Sequence, residues 1–149
     1  IIKKKEIMKI VLSLLLLCFS LTAFGQSSVG KWVTIDDETN KKKSIVELYK
    51  EDGKLYGKIT YLFPKEGREP NAKCKVCEDD RKDQPLLGLQ IVRDLEWDGS
   101  SWKKGTIIDP KDGKVYNLKM WVDPTNNNFL NVRGYIGPFY RTQKWVKIK

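Results

Sequence analysis

The chain has 149 residues, of which 28 are Lys or Arg and 19 are Asp or Glu, giving a formal net charge of +9. This length suits one domain, and the composition is that of an ordinary globular protein. The sequence contains no histidine, which excludes Ser-His-Asp and Cys-His nucleophile systems, histidine general bases and histidine metal ligands. Chemistry based on a pair of carboxylates stays open.

The N-terminal segment has the pattern of an export signal. Four lysines precede an apolar run from Ile10 to Phe24, and small residues stand at the positions that signal peptidase reads. The run is short for a membrane span. We therefore predict a cleaved signal peptide over residues 1–25 and a periplasmic or secreted mature domain over residues 26–149. Lipidation at Cys18 and an uncleaved anchor are the alternatives.

The mature domain is moderately basic. Without the four lysines and one glutamate of the predicted signal peptide, 24 basic and 18 acidic residues give a net charge of +6. The lysines are spread along the chain, which favours a solvated outer face. The alternative interpretation of these lysines is peripheral contact with an anionic envelope surface. No motif for DNA or RNA binding is present, so nucleic acid is not an expected partner. The sequence indicates no particular oligomeric state.

The mature chain is a succession of strand patterns separated by turns. Asp-Gly pairs and Pro- or Asn-rich turn sequences recur between segments in which apolar and polar residues alternate. We predict eight strands, at residues 31–35, 44–50, 54–63, 87–96, 102–108, 114–122, 129–135 and 140–148. Pro85 could instead open a short helix before the fourth of them.

Alternation assigns one face of each strand to the core. In the third strand Leu55, Gly57, Ile59, Tyr61 and Phe63 are predicted to share one face, and in the sixth Tyr116, Leu118, Met120 and Val122 are predicted to share one face. Eight consecutive antiparallel strands favour closure, because a closed barrel has no exposed sheet edges. We predict an all-β fold, a single antiparallel eight-stranded up-and-down β-barrel. The interior of such a barrel is filled by side chains or is wide enough for one small ligand.

Gly30-Lys31-Trp32 places a G-x-W motif at the start of the first strand. Lipocalins and avidins open with such a motif, so the start of this chain resembles theirs and the fold is expected to be calycin-like. The resemblance implies that Trp32 packs across one end of the barrel. It also implies that a late basic residue stacks on Trp32, and the candidates for this role are Arg133 and Arg141.

The whole mature chain resembles a bacterial secreted family known as domain of unknown function number twenty-one forty-seven. The resemblance rests on motifs that follow one another in order, namely the G-x-W, Gly105-Thr106-Ile107, Asp109-Pro110, Gly113-Lys114-Val115-Tyr116, Leu130 to Gly137, and Tyr140 to Trp145. It implies a periplasmic or secreted single domain with a calycin-like β-barrel, and it supplies no activity.

The longest irregular stretch, residues 64–84, holds a C-x-x-C pair at Cys74 and Cys77. A metal site needs four ligands, and here two thiols have only carboxylates nearby. A thioredoxin-type centre needs the pair at the start of a helix in a βαβ unit, which this strand pattern does not predict. We interpret Cys74 and Cys77 as a disulfide that staples the loop and stabilises the fold by about 2 kcal/mol.

Aromatic and basic residues supply the candidate ligand-binding positions, which are Trp32, Tyr61, Tyr116, Arg133 and Arg141. Most aromatic side chains are expected in the core, and a few could line a cavity. An arginine that points inward has to pair with an acid or meet an anionic ligand. The acidic run from Asp36 to Glu38 is interpreted as a polar turn. We predict no catalytic residue, no metal site and no cofactor.

These observations predict a non-catalytic β-barrel protein that binds a small, partly apolar or amphipathic ligand or an envelope component. The first alternative is a cell-envelope interaction module that acts through its basic outer surface. The second is a redox protein that uses Cys74 and Cys77. The prediction of a ligand inside the barrel fails if side chains fill the whole interior.

Overall fold

The computed structural model describes residues 3–9, 11 and 27–149. The predicted signal peptide and its cleavage site therefore lie largely outside the described residues. Residues 4–9 form a short helix. Within the described part of the chain, no helix has both the length and the apolar character needed to cross a bilayer.

Residues 30–147 form a closed antiparallel barrel, as predicted. Its strands are β1 (Gly30–Ile35), β2 (Lys42–Glu51), β3 (Lys54–Leu62), β4 (Gln90–Trp97), β5 (Trp102–Ile108), β6 (Val115–Val122), β7 (Phe129–Ile136) and β8 (Phe139–Lys147). Each strand pairs with its neighbours in sequence, and β1 closes on β8 through Trp32 opposite Lys147 and Val33 opposite Val146. The region around Pro85 forms turns rather than a helix, so β4 begins later than predicted.

The connections between strands alternate between the two ends of the barrel, because neighbouring strands run in opposite directions. At the closed end lie the chain termini of the barrel and the connections at residues 52–53, 98–101 and 123–128. At the open end lie the connections at residues 36–41, 63–89, 109–114 and 137–138. Asp52 and Gly53 both adopt positive φ, 49° and 77°, which confirms the predicted Asp-Gly hairpin turn.

Large side chains fill the closed end. Trp32 is fully buried, and its Nε1 donates a hydrogen bond to the carbonyl oxygen of Ser28 at 2.8 Å. The inward-facing residues packed around it are Val46, Leu48, Leu55, Leu95, Met120, Leu130 and Trp145, all at or close to zero exposure. The G-x-W tryptophan therefore packs across one barrel end, and this half of the interior is core rather than cavity.

A bulge in β3 reverses the face predicted for Tyr61. The register between β2 and β3 shifts so that Ile45 pairs with Tyr61, which leaves Thr60 as an extra residue. Leu62 then points inward and packs against the core. Tyr61 lies on the outer wall, with its ring centroid 5.0 Å from that of Phe63. The prediction that Tyr61 and Phe63 share a face with Leu55, Gly57 and Ile59 is wrong, because simple alternation does not allow for the bulge.

The connection at residues 63–89 packs against the outer wall of β4 and β5. Ile91 and Ile108 point outward, because each is next to an inward-facing residue in its strand. Both are nevertheless buried. Both belong to one hydrophobic cluster with Cys74 and Cys77. The loop that carries the cysteine pair thus forms a second hydrophobic layer outside the barrel.

Arg81 fastens this loop to β4. Its buried guanidinium donates to both carboxylate oxygens of Asp79, from Nε at 3.0 and 3.1 Å, and to the carbonyl oxygen of Gln90 at 3.1 Å. Hydrogen bonds from Arg81 lower the pKa of Asp79 to about 2, so the pair stays ionised at neutral pH. The buried charge is satisfied within the loop and strand.

Candidate ligand-binding site at the open end of the barrel

The inner wall of β6, β7 and β8 is accessible at the open end. Along these strands the inward-facing residues are buried near the closed end and become partly or largely exposed toward the open end. The register places six of them together, namely Tyr116, Gly134, Ile136, Phe139, Arg141 and Gln143. We refer to these six residues as the cup. The interior is therefore packed at one end and accessible at the other.

The polar side of the cup lies on β8. Arg141 and Gln143 are two residues apart, so they share the inner face. Both donate a hydrogen bond to the same carboxylate oxygen of Asp37, which belongs to the β1–β2 connection. Asp37 is therefore the acid with which the inward-facing Arg141 pairs.

Tyr116 forms the aromatic side of the cup. Its side chain lies over Gly134, where an added Cβ would stand 3.4 Å from the Cβ of Tyr116. The Tyr116 hydroxyl donates a hydrogen bond to Oδ2 of Asp112 at 3.1 Å. Burial and this hydrogen bond raise the pKa of Tyr116. The phenol is therefore a neutral hydrogen-bond donor at physiological pH.

Two ion pairs join the β5–β6 connection to the β1–β2 connection and to the start of β2. Nζ of Lys111 lies 3.1 Å from Oε1 of Glu38, and Nζ of Lys43 lies 3.5 Å from Oδ1 of Asp109. The hydrogen bond to Glu38 raises the pKa of Lys111. Both pairs are solvent-exposed and contribute little to stability.

Comparisons with known proteins agree with this architecture. Residues 30–147 match the family DUF2147, described as an uncharacterized protein conserved in bacteria. This chain belongs to that family. No curated protein sequence matches the chain significantly.

A solved structure is similar to the DUF2147 barrel. It is protein HP1028 from the human pathogen Helicobacter pylori, described as belonging to the lipocalin family. The TM-score is 0.69 at 21% sequence identity, over 83% of this chain and 84% of that one. The likeness establishes the fold, which is a lipocalin-like β-barrel as the sequence predicted.

The DUF2147 barrel brings together two of the five candidate residues taken from the sequence. Tyr116 and Arg141 both lie in the cup. Trp32 lies fully buried in the core of the closed end. Tyr61 and Arg133 lie on the outer wall. These three residues therefore take no part in the cup.

The residue that stacks on Trp32 is Lys147. Its Nζ lies 5.8 Å from the centroid of the Trp32 ring, because the two residues are directly opposite each other where β1 closes on β8. The expectation that Arg133 or Arg141 takes this role is wrong. Those two residues lie closer to the open end, beyond the reach of Trp32.

Two polar members of the site were not predicted from the sequence. Gln143 follows Arg141 by two residues, so the period of a strand would have placed it on the same face. Asp37 gave no such signal, because its contact with β8 joins residues from opposite ends of the chain. The interpretation of its segment as a polar turn is correct for Asp36, whose carboxylate accepts hydrogen bonds from the backbone of Glu38 and Thr39.

Cys74 and Cys77 are joined by a disulfide, with their Cα atoms 5.5 Å apart. Both residues are buried in the hydrophobic cluster under the 63–89 connection. A redox centre has to present a sulfur atom to its partner, and this burial does not suit it. Within the residues that the structure describes, no group of three or more Cys, Asp and Glu side chains is placed to hold a metal ion.

Proposed function

We propose that this DUF2147 protein binds a small amphipathic molecule with an anionic headgroup, without catalysing a reaction on it. The observation that supports the proposal is the composition of the cup. Exposed apolar side chains, Ile136 and Phe139, stand at inward-facing positions beside the hydrogen-bond donors of Arg141 and Gln143. Apolar and cationic groups at one opening match a ligand that has both characters.

The dimensions of the cup limit the ligand. Because large side chains fill the closed end, a long alkyl chain cannot extend through the barrel and must lie along Tyr116, Ile136 and Phe139. Each methylene that leaves water there contributes about 0.8 kcal/mol. The headgroup would replace Asp37 as the acceptor of the hydrogen bonds from Arg141 and Gln143. A carboxylate or a phosphate monoester satisfies both donors.

Calorimetric titration with dodecanoate tests the proposal, with dodecanol as the uncharged control. We expect dodecanoate to bind and dodecanol to bind at least about tenfold more weakly, because only the carboxylate accepts charge-assisted hydrogen bonds from Arg141. Equal affinity for the two probes, or binding of neither, would overturn the assignment of an anionic headgroup to this cup.

Two variants should move the affinity for dodecanoate in opposite directions. Arg141→Gln is expected to weaken binding about tenfold or more, because it removes the positive charge of the cup. Asp37→Asn is expected to strengthen binding, because the competing carboxylate is gone. Arg133→Gln is the matched control, since it removes the same charge from the outer wall. An unchanged affinity in Arg141→Gln together with a loss in Arg133→Gln would place the ligand outside the cup.

We also propose that the protein works in the periplasm or outside the cell. The N-terminal lysines and apolar run support this location, and the disulfide is consistent with an oxidising compartment. N-terminal sequencing of the protein recovered from the envelope fraction of cells that produce the full chain should give a start at Gln26. A protein that keeps its N-terminal lysines and stays in the cytosol would contradict this location.

A further inference from the structure

The β7–β8 hairpin ends in an exposed apolar tip. Its sequence over residues 136–140 is Ile-Gly-Pro-Phe-Tyr, without a charged residue. Ile136, Phe139 and Tyr140 are 51%, 77% and 61% exposed. Three large apolar side chains grouped at the end of a hairpin form the kind of surface that marks an interaction site. We refer to residues 136–140 as the β7–β8 tip.

Arginines flank the β7–β8 tip on both walls of the barrel. Arg141 stands on the inner side, in the cup. Arg133 stands on the outer side, where its guanidinium carbon lies 5.0 Å from the ring centroid of Trp121 and 4.4 Å from that of Tyr140. Its Nε donates a hydrogen bond to the hydroxyl of Thr142 at 2.7 Å. These contacts hold the guanidinium close to the tip in one orientation.

The strands behind the β7–β8 tip carry positive charge only. β6, β7 and β8 contain no Asp or Glu, and their basic residues are Lys119, Arg133, Arg141, Lys144 and Lys147. Lys119 and Arg133 face outward on this sector together with aromatic side chains. Arg141 and Lys144 are paired with Asp37 and Asp123, and Lys147 lies over Trp32 at the closed end. An apolar tip in front of a basic sector is complementary to a surface that is negatively charged outside and apolar beneath.

We infer that the β7–β8 tip docks the protein on an anionic lipid bilayer. Phe139 and Ile136 enter the region between headgroups and acyl chains, while Arg133 and Arg141 meet lipid phosphates. Tyrosine is favoured at this depth, because its ring is apolar and its hydroxyl is polar. Basic residues near the surface add attraction to anionic lipid. The docking surface shares Ile136, Phe139 and Arg141 with the cup, but its contacts are with lipid and require no ligand bound in the cup.

Cosedimentation with vesicles tests the inference, using the full chain and two lipid compositions. One set of vesicles contains phosphatidylglycerol mixed with phosphatidylcholine, and the other contains phosphatidylcholine alone. We expect partition into the anionic vesicles that weakens at high salt. The double variant Ile136→Ser, Phe139→Ser is expected to lower the partition coefficient about tenfold or more, because two apolar side chains no longer enter the bilayer.

Trp97→Ser is the matched control, because Trp97 is 51% exposed but lies at the closed end, beside the β4–β5 connection. All variants carry the same N-terminal segment, so its contribution cancels. Thermal unfolding confirms that each variant is folded. Arg133→Gln should weaken binding to the anionic vesicles more than binding to phosphatidylcholine, because only the anionic vesicles carry a net negative charge.

Three outcomes would overturn docking on lipid. The first is equal partition of the wild type and the tip variant. The second is an equal loss in Trp97→Ser, which would indicate unspecific hydrophobic adsorption. The third combines two results: the wild type does not bind vesicles, and in sedimentation velocity it forms a concentration-dependent dimer that the tip substitutions abolish. The tip would then be a contact between two copies of the chain. Dodecanoate titration of the wild type and of Arg133→Gln, both of which keep all six cup residues, separates each outcome from a failure of the cup.

Discussion

Replacement of Trp32 by alanine is expected to lower the free energy of unfolding by about 3–5 kcal/mol. The indole ring is fully buried at the closed end, among side chains from several strands. Truncation removes its apolar contacts and leaves a cavity into which the barrel cannot fully collapse. It also deprives the carbonyl oxygen of Ser28 of the hydrogen bond from Nε1. Urea unfolding followed by far-ultraviolet circular dichroism measures the loss.

Trp121→Ala is the control for this substitution. Trp121 lies on the outer wall and is only partly buried, so the same change of residue should cost clearly less there. Trp32→Phe should fall between the two, because it keeps most of the apolar volume and loses the hydrogen bond. If Trp32→Ala cost no more than Trp121→Ala, the closed end would not be the main core of the barrel.

Gly113→Ala is the second substitution with a large expected effect. Gly113 adopts a φ of +73° in the β5–β6 connection, and an added Cβ would stand 2.0 Å from the carbonyl oxygen of Val76. Val76 lies between the two cysteines, so the clash pushes the disulfide loop away from the barrel. Because the backbone on both sides must move, the clash is expected to lower the free energy of unfolding by about 1–3 kcal/mol. This loss adds to the strain of an alanine at positive φ.

Gly53→Ala separates the clash with Val76 from the strain of an alanine at positive φ. Gly53 has nearly the same φ, +77°, but no atom lies within 4 Å of an added Cβ. It should therefore show only the conformational strain, about 1–2 kcal/mol. The stability of both variants is measured by urea unfolding, and the rate at which a thiol reductant opens the disulfide gives a second readout. That rate should rise in Gly113→Ala alone. Equal losses of stability would contradict the close packing of this loop.

The strand pattern was predictable because each strand of the barrel has one face in the core and one in solvent, and because Asp-Gly turns mark the hairpins. The same reasoning failed at Tyr61, since a one-residue bulge at Thr60 changes no local property of the sequence but reverses the face of the residues after it. Alternation can place Gln143 on the same face as Arg141. It cannot say which face of β8 is the inner one without the pairing to β7.

Long-range contacts account for the rest of the features that the sequence did not predict. The position of Lys147 over Trp32 depends on the register between the first and last strands, which no local motif specifies. Asp37 reaches Arg141 for the same reason. The exposure of Phe139 was not predictable either. A sequence pattern identifies the hairpin turn, but it does not show whether another part of the chain covers Phe139.

The pairing of β1 with β8 also affects how the chain reaches its native state. β1 finds its second partner only when the last residues of β8 are present, and the two strands meet through just two residue pairs. Until then both strands present unpaired edges to other chains. Contacts so distant in sequence form slowly. A chain that emerges from its N-terminus onward therefore stays prone to aggregation until β8 is complete. Replacement of Val146 and Lys147 by residues that cannot pair, such as proline, would leave the edges of β1 and β8 unpaired.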